Sequence, residues 1–355
     1  MGDLKFDLNK IYEIEKIGTD NFTVVWEWDF FDHLIQDFDS TKNNFGIVAE
    51  HPELLDVNWN LSNTSSDWIH TNAITYNEAL DQIMISSREM NEIYVIDHST
   101  TSDEAAGHSG GRYGKGGDIL YRYGNPQVYR RGGPSEKVLF GQHDPKWIPD
   151  GYPQGGKISI FNNGSGRFEN YSSIDVFQAP MNMDGSYDIE EGEAFGPSFP
   201  SWTYTAPIRT EFFSNNVSGV QALPNGNFLI CSGRQGDFFE VTPEKERVWY
   251  YENTAGNDGP LTQGLNPPFI TIFRTERYAP DYPGFEGKDL SPMGVIELNP
   301  IAYECEIYND VSSISTQVFS DYKVFPNPFE STLNIEVTLS ETVDLRVINL
   351  QGKEI

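Results

Sequence analysis

The chain is short of basic residues. Its 355 residues include 24 Lys and Arg against 53 Asp and Glu, which gives a formal net charge of −29 at pH 7. Binding to nucleic acid depends on clustered Lys and Arg that neutralise phosphates and release counterions. The charge therefore excludes nucleic acid as a partner, and it favours solubility instead.

Cysteines and long apolar runs are scarce as well. The two cysteines, Cys231 and Cys305, are too few for a disulfide framework, and they leave one bridge or two free thiols as alternatives. No apolar run approaches the roughly 20 residues that a membrane helix needs, so no integral membrane segment is predicted. No charged stretch followed by an apolar one opens the chain, so a secreted protein implies a signal peptide further upstream.

Motifs for metals and nucleotides are missing too. The six histidines show neither HxH nor HxxxH spacing, so the sequence predicts no metal site. A Walker loop, a dinucleotide fingerprint and a GxSxG elbow are all absent, so we predict no cofactor. His33, His51 and His98 stand in surroundings typical of ordinary surface or structural histidines.

Aromatic residues and turn formers are plentiful. The chain has 23 Phe, 18 Tyr and 7 Trp alongside 32 Gly and 21 Pro. Short stretches of alternating polarity are separated by turns, such as Pro224 to Gly226 inside "VSGVQALPNGNFLICSGRQGDFFEV". This combination favours strands over helices, and the fold class that it predicts is all-β.

A weak internal repeat narrows the choice among all-β folds. "HTNAITYNEALDQIMISSREMNEIYVID" runs parallel to "SGVQALPNGNFLICSGRQGDFFEVT", with His70 over Ser218 and Arg88 over Arg234, and a third copy begins at His143. Repeats of roughly 40 to 50 residues built from four strands are typical of β-propeller blades. A β-sandwich, the alternative, would not need repeated segments.

Four polar residues are predicted to meet within these repeats. His70 and Asn72 stand two apart on one strand, so their side chains should share a face of the sheet. Arg88 returns on the next strand and can lie beside His70. Equivalent positions of successive blades converge on the central channel, which brings His143 to the same place. A histidine beside cationic donors can act as a nucleophile towards phosphoryl or sulfuryl groups.

Residues 105–133 carry an excess of basic residues, which is unusual in so acidic a chain. This segment holds nine glycines and five basic residues, with Asp118 as its single acid. Two interpretations stay open: a solvated flexible loop, or a rim that gathers an anionic substrate by its local positive field.

Several segments together resemble the bacterial aryl sulfotransferase family, among them "DWIHTN", "SSREMNEIYVID", "FGQHDPKWI" and "GKISIFNNGSGR". The resemblance spans roughly residues 11 to 299. It implies a six-bladed propeller, lacking its N-terminal blades here, that moves a sulfuryl group from a phenolic sulfate ester to a phenol acceptor. No nucleotide sulfate donor takes part in the family's reaction.

The same resemblance assigns roles to individual residues. His143 in "GQHDP" matches the nucleophile, which becomes a sulfohistidine in a ping-pong cycle. His70, Asn72 and Arg88 match pocket residues that hold the sulfuryl oxygens. A further histidine of the family pocket lies in an upstream blade and has no match here. A non-catalytic propeller that binds anionic or aryl ligands therefore stays open as the alternative function.

The C-terminal part differs in character. A small polar linker at 311–320 separates the propeller, 1–310, from a terminal module at 321–355 with alternating stretches at Leu333–Leu339 and Val343–Leu350. This module resembles the sorting domain of type IX secretion substrates, a β-sandwich that is cut short here. The resemblance implies the type IX secretion machinery as a partner and an extracellular or cell-surface location.

Overall fold

The structure is a computed structural model that describes residues 9–59, 67–256, 259–264, 270–300, 322–325 and 334–337. The chain divides into two compact units, residues 1–299 and residues 300–355. Strands make up most of the regular structure of the described residues, which confirms the all-β fold class. Within the same residues, no helix combines the length and the apolar character that crossing a bilayer requires.

The first unit begins with a hairpin and a short parallel pair. Strands β1 (Lys10–Ile17) and β2 (Asn21–Asp29) pair antiparallel with a bulge, and β3 (Leu34–Ile35) pairs parallel to β4 (Leu55–Asp56). Alternation along β2 buries Trp26 and Trp28 against the core while their neighbours face outwards.

Three four-stranded antiparallel sheets follow, and consecutive strands are neighbours in each of them. The first sheet contains β5 (Thr71–Asn77), β6 (Gln82–Ser87), β7 (Glu92–Asp97) and β8 (Tyr121–Tyr123). The second contains β9 (His143–Trp147), β10 (Ile158–Asn162), β11 (Ser173–Phe177) and β12 (Trp202–Tyr204). The third contains β13 (Gly219–Ala222), β14 (Phe228–Ser232), β15 (Asp237–Val241) and β16 (Arg247–Glu252).

Each sheet has the form of a propeller blade. The first strands lie next to one another, since β9 contacts both β5 and β13. Four-stranded meanders whose first strands face a common centre are the building unit of β-propellers, as the repeats predicted. The structure describes three complete sheets of this kind, so the number of six blades stays a prediction.

The cores lie between neighbouring sheets. In β6, Ile83 and Ile85 pack towards the hairpin side, while Met84 packs towards the second sheet. In β10, Ile160 faces the first sheet and Phe161 faces the third. Both faces of these middle strands are buried, so even their polar residues, such as the serines of β6 and β10, lie inside the fold.

The remaining elements are short. They are β17 (Ala255–Gly256), β18 (Gly259–Pro260), β19 (Tyr322–Phe325), β20 (Asn334–Val337), α1 (Ser102–Ala105) and the 3-10 helices Phe30–His33, Val48–Glu50, Pro126–Tyr129, Pro134–Glu136, Arg209–Glu211 and Pro283–Phe285. A capping box in which Thr101 and Glu104 bond each other's backbone N–H begins α1.

Two predictions concern parts of the chain that are only partly described. The predicted strand Leu333–Leu339 overlaps β20, whereas Val343–Leu350 lies outside the described residues. Cys231 is a buried free thiol whose pKa burial raises to about 12, while Cys305 lies outside the described residues.

Candidate active site

His143 is the first residue of β9, at the inner edge of the second sheet. Its side chain is buried, with only 4% of the residue exposed. The turn before it needs Gly141, whose φ of +66° lies in the left-handed region. His143 thus begins the second sheet, on a strand that lies next to the first strands of the other two sheets.

The hydrogen bonds of the His143 ring fix its tautomer. Nδ1 lies 2.8 Å from Oδ1 of Asn163 and 3.1 Å from the carbonyl oxygen of Gly141. The Asn163 amide nitrogen donates to the carbonyl oxygens of Ser214, at 2.7 Å, and Val217, at 3.0 Å, so its oxygen must face His143. Because Nδ1 faces two acceptors, it carries the proton, and the lone pair of the ring lies on Nε2.

The same surroundings determine the charge of the ring. Burial lowers the pKa of His143 to about 4, and the positive charges of Arg88 and His70 act in the same direction. The hydrogen bonds to Asn163 and Gly141 offset part of this effect. His143 is therefore a neutral imidazole near pH 7, with an unprotonated Nε2.

Arg88 follows β6 directly, and its backbone N–H donates to the carbonyl oxygen of His70 at 3.1 Å. Its Nε would lie 3.9 Å from a Cβ at position 141, so the Arg88 side chain extends towards the turn that precedes His143. The guanidinium also pairs with Glu89, with about a third of the side chain exposed (30%). The predicted neighbours Arg88 and His70 are thus adjacent in the structure.

His70 lies just before β5 with a left-handed φ of +48°. Its Nδ1 pairs with the Asp67 carboxylate, and the side chain is 41% exposed. A bulge between Thr71 and Ala73 interrupts the pairing of β5 with β6. The regular alternation from which we expected His70 and Asn72 to share a face is therefore broken at this position.

Asn72 joins the first sheet to the residue that precedes β9 and His143. Its Nδ2 donates to the Gln142 carbonyl oxygen at 2.7 Å, while its Oδ1 is buried without a partner among the described residues. The Gln142 amide in turn donates to Ser86 Oγ and to the carbonyl oxygens of Ser87 and Glu92, at 2.9 to 3.1 Å. These bonds hold the start of β9 against β6 and β7.

Sequence reasoning missed Asn163, Gln142 and Asp144. Asp144 is buried; it accepts from the backbone N–H of Val220 at 3.1 Å and pairs with Lys146 and Arg274. Its Oδ2 would lie 2.3 Å from a Cβ at position 219, so Gly219 leaves room for this contact. A usable signal existed for Asn163 alone, since "FNNG" stands at the same blade position as "SSRE".

Most basic residues of the 105–133 segment form ion pairs or hydrogen bonds with other residues of the chain. Arg122 and Glu92 form a fully buried ion pair, in which the guanidinium lies 4.3 Å from the centre of the Tyr129 ring. Arg130 pairs with Asp37 and Asp56. Arg112 and Arg131 donate to backbone carbonyl oxygens, and Lys115 is exposed. The segment is thus largely packed and bonded, unlike either a flexible loop or a rim of available cations.

In the described part of the chain, potential metal ligands do not form a group around His143. Among the described residues, no group of three His, Cys, Asp or Glu side chains close enough to share an ion includes His143. The chemistry available at this site is therefore that of a neutral imidazole beside the cation of Arg88 and the imidazole of His70.

Two family profiles match this chain. The profile of the arylsulfotransferase family (ASST) matches residues 10–259, and the profile of a secretion system C-terminal sorting domain matches residues 323–355. A comparison with curated proteins finds no match.

Similar solved structures are distant. A protein of unknown function from Bacteroides caccae is 11% identical over 56% of this chain and 58% of its own, with a TM-score of 0.27. Virginiamycin B lyase from Staphylococcus aureus is 15% identical over 53% of this chain and 60% of its own, with a TM-score of 0.25. The β-propeller domain of Cps50 (Swd1) from Myceliophteria thermophila is 10% identical over 52% of this chain and 42% of its own, with a TM-score of 0.31.

The chain thus spans roughly half the length of these structures, and TM-scores this low carry no argument about function. The family profile is different, because it covers well over half of the chain and includes His70, Arg88 and His143. The chain belongs to the arylsulfotransferase family and carries a C-terminal sorting domain.

Proposed function

We propose that this chain transfers a sulfuryl group from a phenolic sulfate ester to a phenol acceptor through a sulfohistidine at His143. The observation that carries the proposal is the buried imidazole whose Nδ1 proton is held by Asn163 and Gly141, which leaves Nε2 with a lone pair. Neither a nucleotide sulfate donor nor a cofactor enters the reaction.

In the first step, the Nε2 lone pair attacks the sulfur of the ester. The N–S bond forms, the bond from sulfur to the aryl oxygen breaks, and the phenolate leaves. Because the pKa of His143 is about 4, no base is needed to free Nε2 at neutral pH. The sulfonated ring is cationic, and the oxygens of Asn163 and Gly141 stabilise that charge.

In the second step, the acceptor's hydroxyl oxygen attacks the same sulfur. The N–S bond breaks, the electron pair returns to Nε2, and the phenol releases its proton to solvent or a base. Arg88 and His70 hold the sulfuryl oxygens in both steps, since a guanidinium offers several donors to a tetrahedral oxyanion. Asn72 offers its remaining amide N–H to the same group.

The terminal module extends the proposal to location. Residues 321–355, after a linker at 311–320, would direct the propeller domain at 1–310 through the type IX secretion machinery. The enzyme would then act at the cell surface or outside the cell, on phenolic esters that it meets there.

A non-catalytic propeller that binds anionic aryl ligands is the second candidate. The ion pair of Arg88 with Glu89 favours it, because a carboxylate already engages the guanidinium that would otherwise receive the sulfuryl oxygens. Such a protein would bind a sulfate ester without forming an N–S bond.

The test uses 4-nitrophenyl sulfate as donor and phenol as acceptor. We expect nitrophenol release and an acid-labile sulfohistidine by mass spectrometry, and we expect His143→Ala to lower release by roughly 10⁴-fold or more, as loss of a nucleophile does. His98→Ala is the matched control, since His98 pairs with Asp81 and Glu13. Equal release by His143→Ala and the native chain would overturn the proposal, whereas ester binding without turnover would favour the second candidate.

A further inference from the structure

A second cluster of chemically active side chains lies outside the His143 site. His33, His108 and Asp118 bring one ligand atom each to within 4.8 Å of one another. His33 ends the 3-10 helix after β2, whereas Asp118 stands 85 residues later in the glycine-rich segment. His33 is completely buried and stacks on Trp28, with ring centroids 5.3 Å apart, so of the surface and structural alternatives the structure supports the structural one.

The contacts within this cluster converge on one oxygen atom. Nδ1 of His33 and Nδ1 of His108 each lie 2.8 Å from Oδ1 of Asp118. The other nitrogen of His33, Nε2, lies 2.9 Å from the carbonyl oxygen of Ala105. Both ring nitrogens of His33 therefore face oxygen atoms.

A neutral imidazole has one N–H and one lone pair, so it can satisfy only one of these two contacts as a donor. A carbonyl oxygen accepts from the N–H on Nε2, which leaves the lone pair of Nδ1 directed at a carboxylate. A cation held between them removes this conflict, and so does a second proton on His33. We propose that His33, His108 and Asp118 bind a divalent first-row transition ion of the Zn²⁺ type.

The arrangement suits such an ion in three respects. Two imidazoles and a carboxylate are the donors that Zn²⁺ and its neighbours prefer. The bond from Nε2 to the Ala105 carbonyl matches the way that ligating histidines are oriented by their second nitrogen. Tetrahedral bonds of about 2.0–2.1 Å place ligand atoms roughly 3.3 Å apart. The two 2.8 Å contacts to Asp118 would therefore open by about half an ångström, while all three ligand atoms already lie within 4.8 Å of one another.

An ion can also reach this position. His108 is 61% exposed at its side chain and lines a groove of about 790 Å³, while His33 and Asp118 lie behind it. Binding would join the 3-10 helix that follows β2 to the glycine-rich segment that precedes β8. The ion would therefore act as a cross-link between two segments that are far apart in sequence.

The experiment titrates Co²⁺ into the full chain after chelator treatment and follows the visible d–d absorption of cobalt. Zn²⁺ at a hundredfold excess over its Kd should raise the melting temperature by roughly 4 °C. We expect His108→Ala, at an exposed position, to weaken binding at least tenfold, and Asp118→Asn to do the same. His51→Ala is the matched control, because His51 lines the same groove.

Native chain and His51→Ala should then bind alike, with the cobalt spectrum of a site containing nitrogen and oxygen ligands. If the native chain binds neither ion, or if His108→Ala and Asp118→Asn bind as tightly as the native chain, the proposal fails. The cluster would in that case be a protonated imidazole paired with a carboxylate. Sulfuryl transfer is not the readout, so this test is independent of the proposed function.

Discussion

The His143 site and the His33 cluster each contain a buried histidine, but the two rings have different partners. Both imidazoles are buried, with 4% and 0% of the residue exposed. His143 has uncharged oxygen partners on Nδ1 alone and the cation of Arg88 nearby, while His33 has oxygen partners on both nitrogens, one of them a carboxylate. The partners of a buried histidine, more than its burial, determine whether the ring keeps a free lone pair for chemistry.

The largest effect that distinguishes the two regions should come from Arg88. Arg88→Gln removes the guanidinium that we place on the sulfuryl oxygens, and kcat/KM for 4-nitrophenyl sulfate should fall by roughly 10²–10³-fold. Arg234→Gln is the control, since Arg234 is the repeat-related arginine, is exposed and donates to Thr271. Equal losses for the two variants would show that Arg88 has no special role at His143.

The next effect concerns stability in acid. The pKa of His143 is about 4 in the folded chain against 6.5 for the ordinary side chain, so the unfolded chain takes up the proton first as the pH falls. This histidine therefore contributes stability that is fully present above pH 6.5 and is lost between pH 6.5 and about 4, which amounts to about 3 kcal/mol.

Urea unfolding of the native chain and of His143→Gln at pH 7 and pH 4.5 measures this contribution. The variant lacks the titrating group, so its loss of stability over this range should be smaller than the native loss. Identical losses in the two proteins would mean that His143 is not held in its neutral form.

The smallest expected effect comes from placing a carboxylate at Nδ1 of His143, the kind of partner that His33 has in Asp118. Asn163→Asp places a carboxylate at Nδ1, which favours the protonated ring and should move the acid limb of kcat/KM upwards by a pH unit or more from about 4. Asn215→Asp adds the same charge at an exposed position and should leave the limb unmoved. If the acid limb of kcat/KM is unchanged in Asn163→Asp, the partner at Nδ1 does not control the charge of the His143 ring.

Much of this fold could be predicted because blades are built from local patterns. Turn residues, apolar middle strands and the repeat around His70 and His143 are all visible in one stretch of chain at a time. The sequence also predicted that Arg88 and His70 are neighbours, because adjacent strands of a hairpin place their ends together. In the structure they share a backbone hydrogen bond.

Contacts between distant segments could not be predicted in this way. Asn163 orients His143 only because its amide is held by the carbonyls of Ser214 and Val217, about fifty residues further on. The segment "DHLIQDF" does not distinguish a surface from a structural histidine at His33, because its contacts come from Trp28 and from Asp118 in another segment. Spacing rules for metal ligands test only neighbours in sequence, so they give no signal for a cluster such as His33, His108 and Asp118.

The amide of Asn163 stands at the end of β10 in the second sheet, and both of its acceptors lie in the segment that leads into β13 of the third. The position of the proton on the His143 ring therefore depends on how closely these two neighbouring sheets pack together. If those sheets separate slightly, the amide can turn and the ring can change tautomer while every strand remains paired. Transfer activity should then disappear at a lower urea concentration than the β-sheet circular dichroism signal, and coincident curves would show that the fit between sheets does not control the ring.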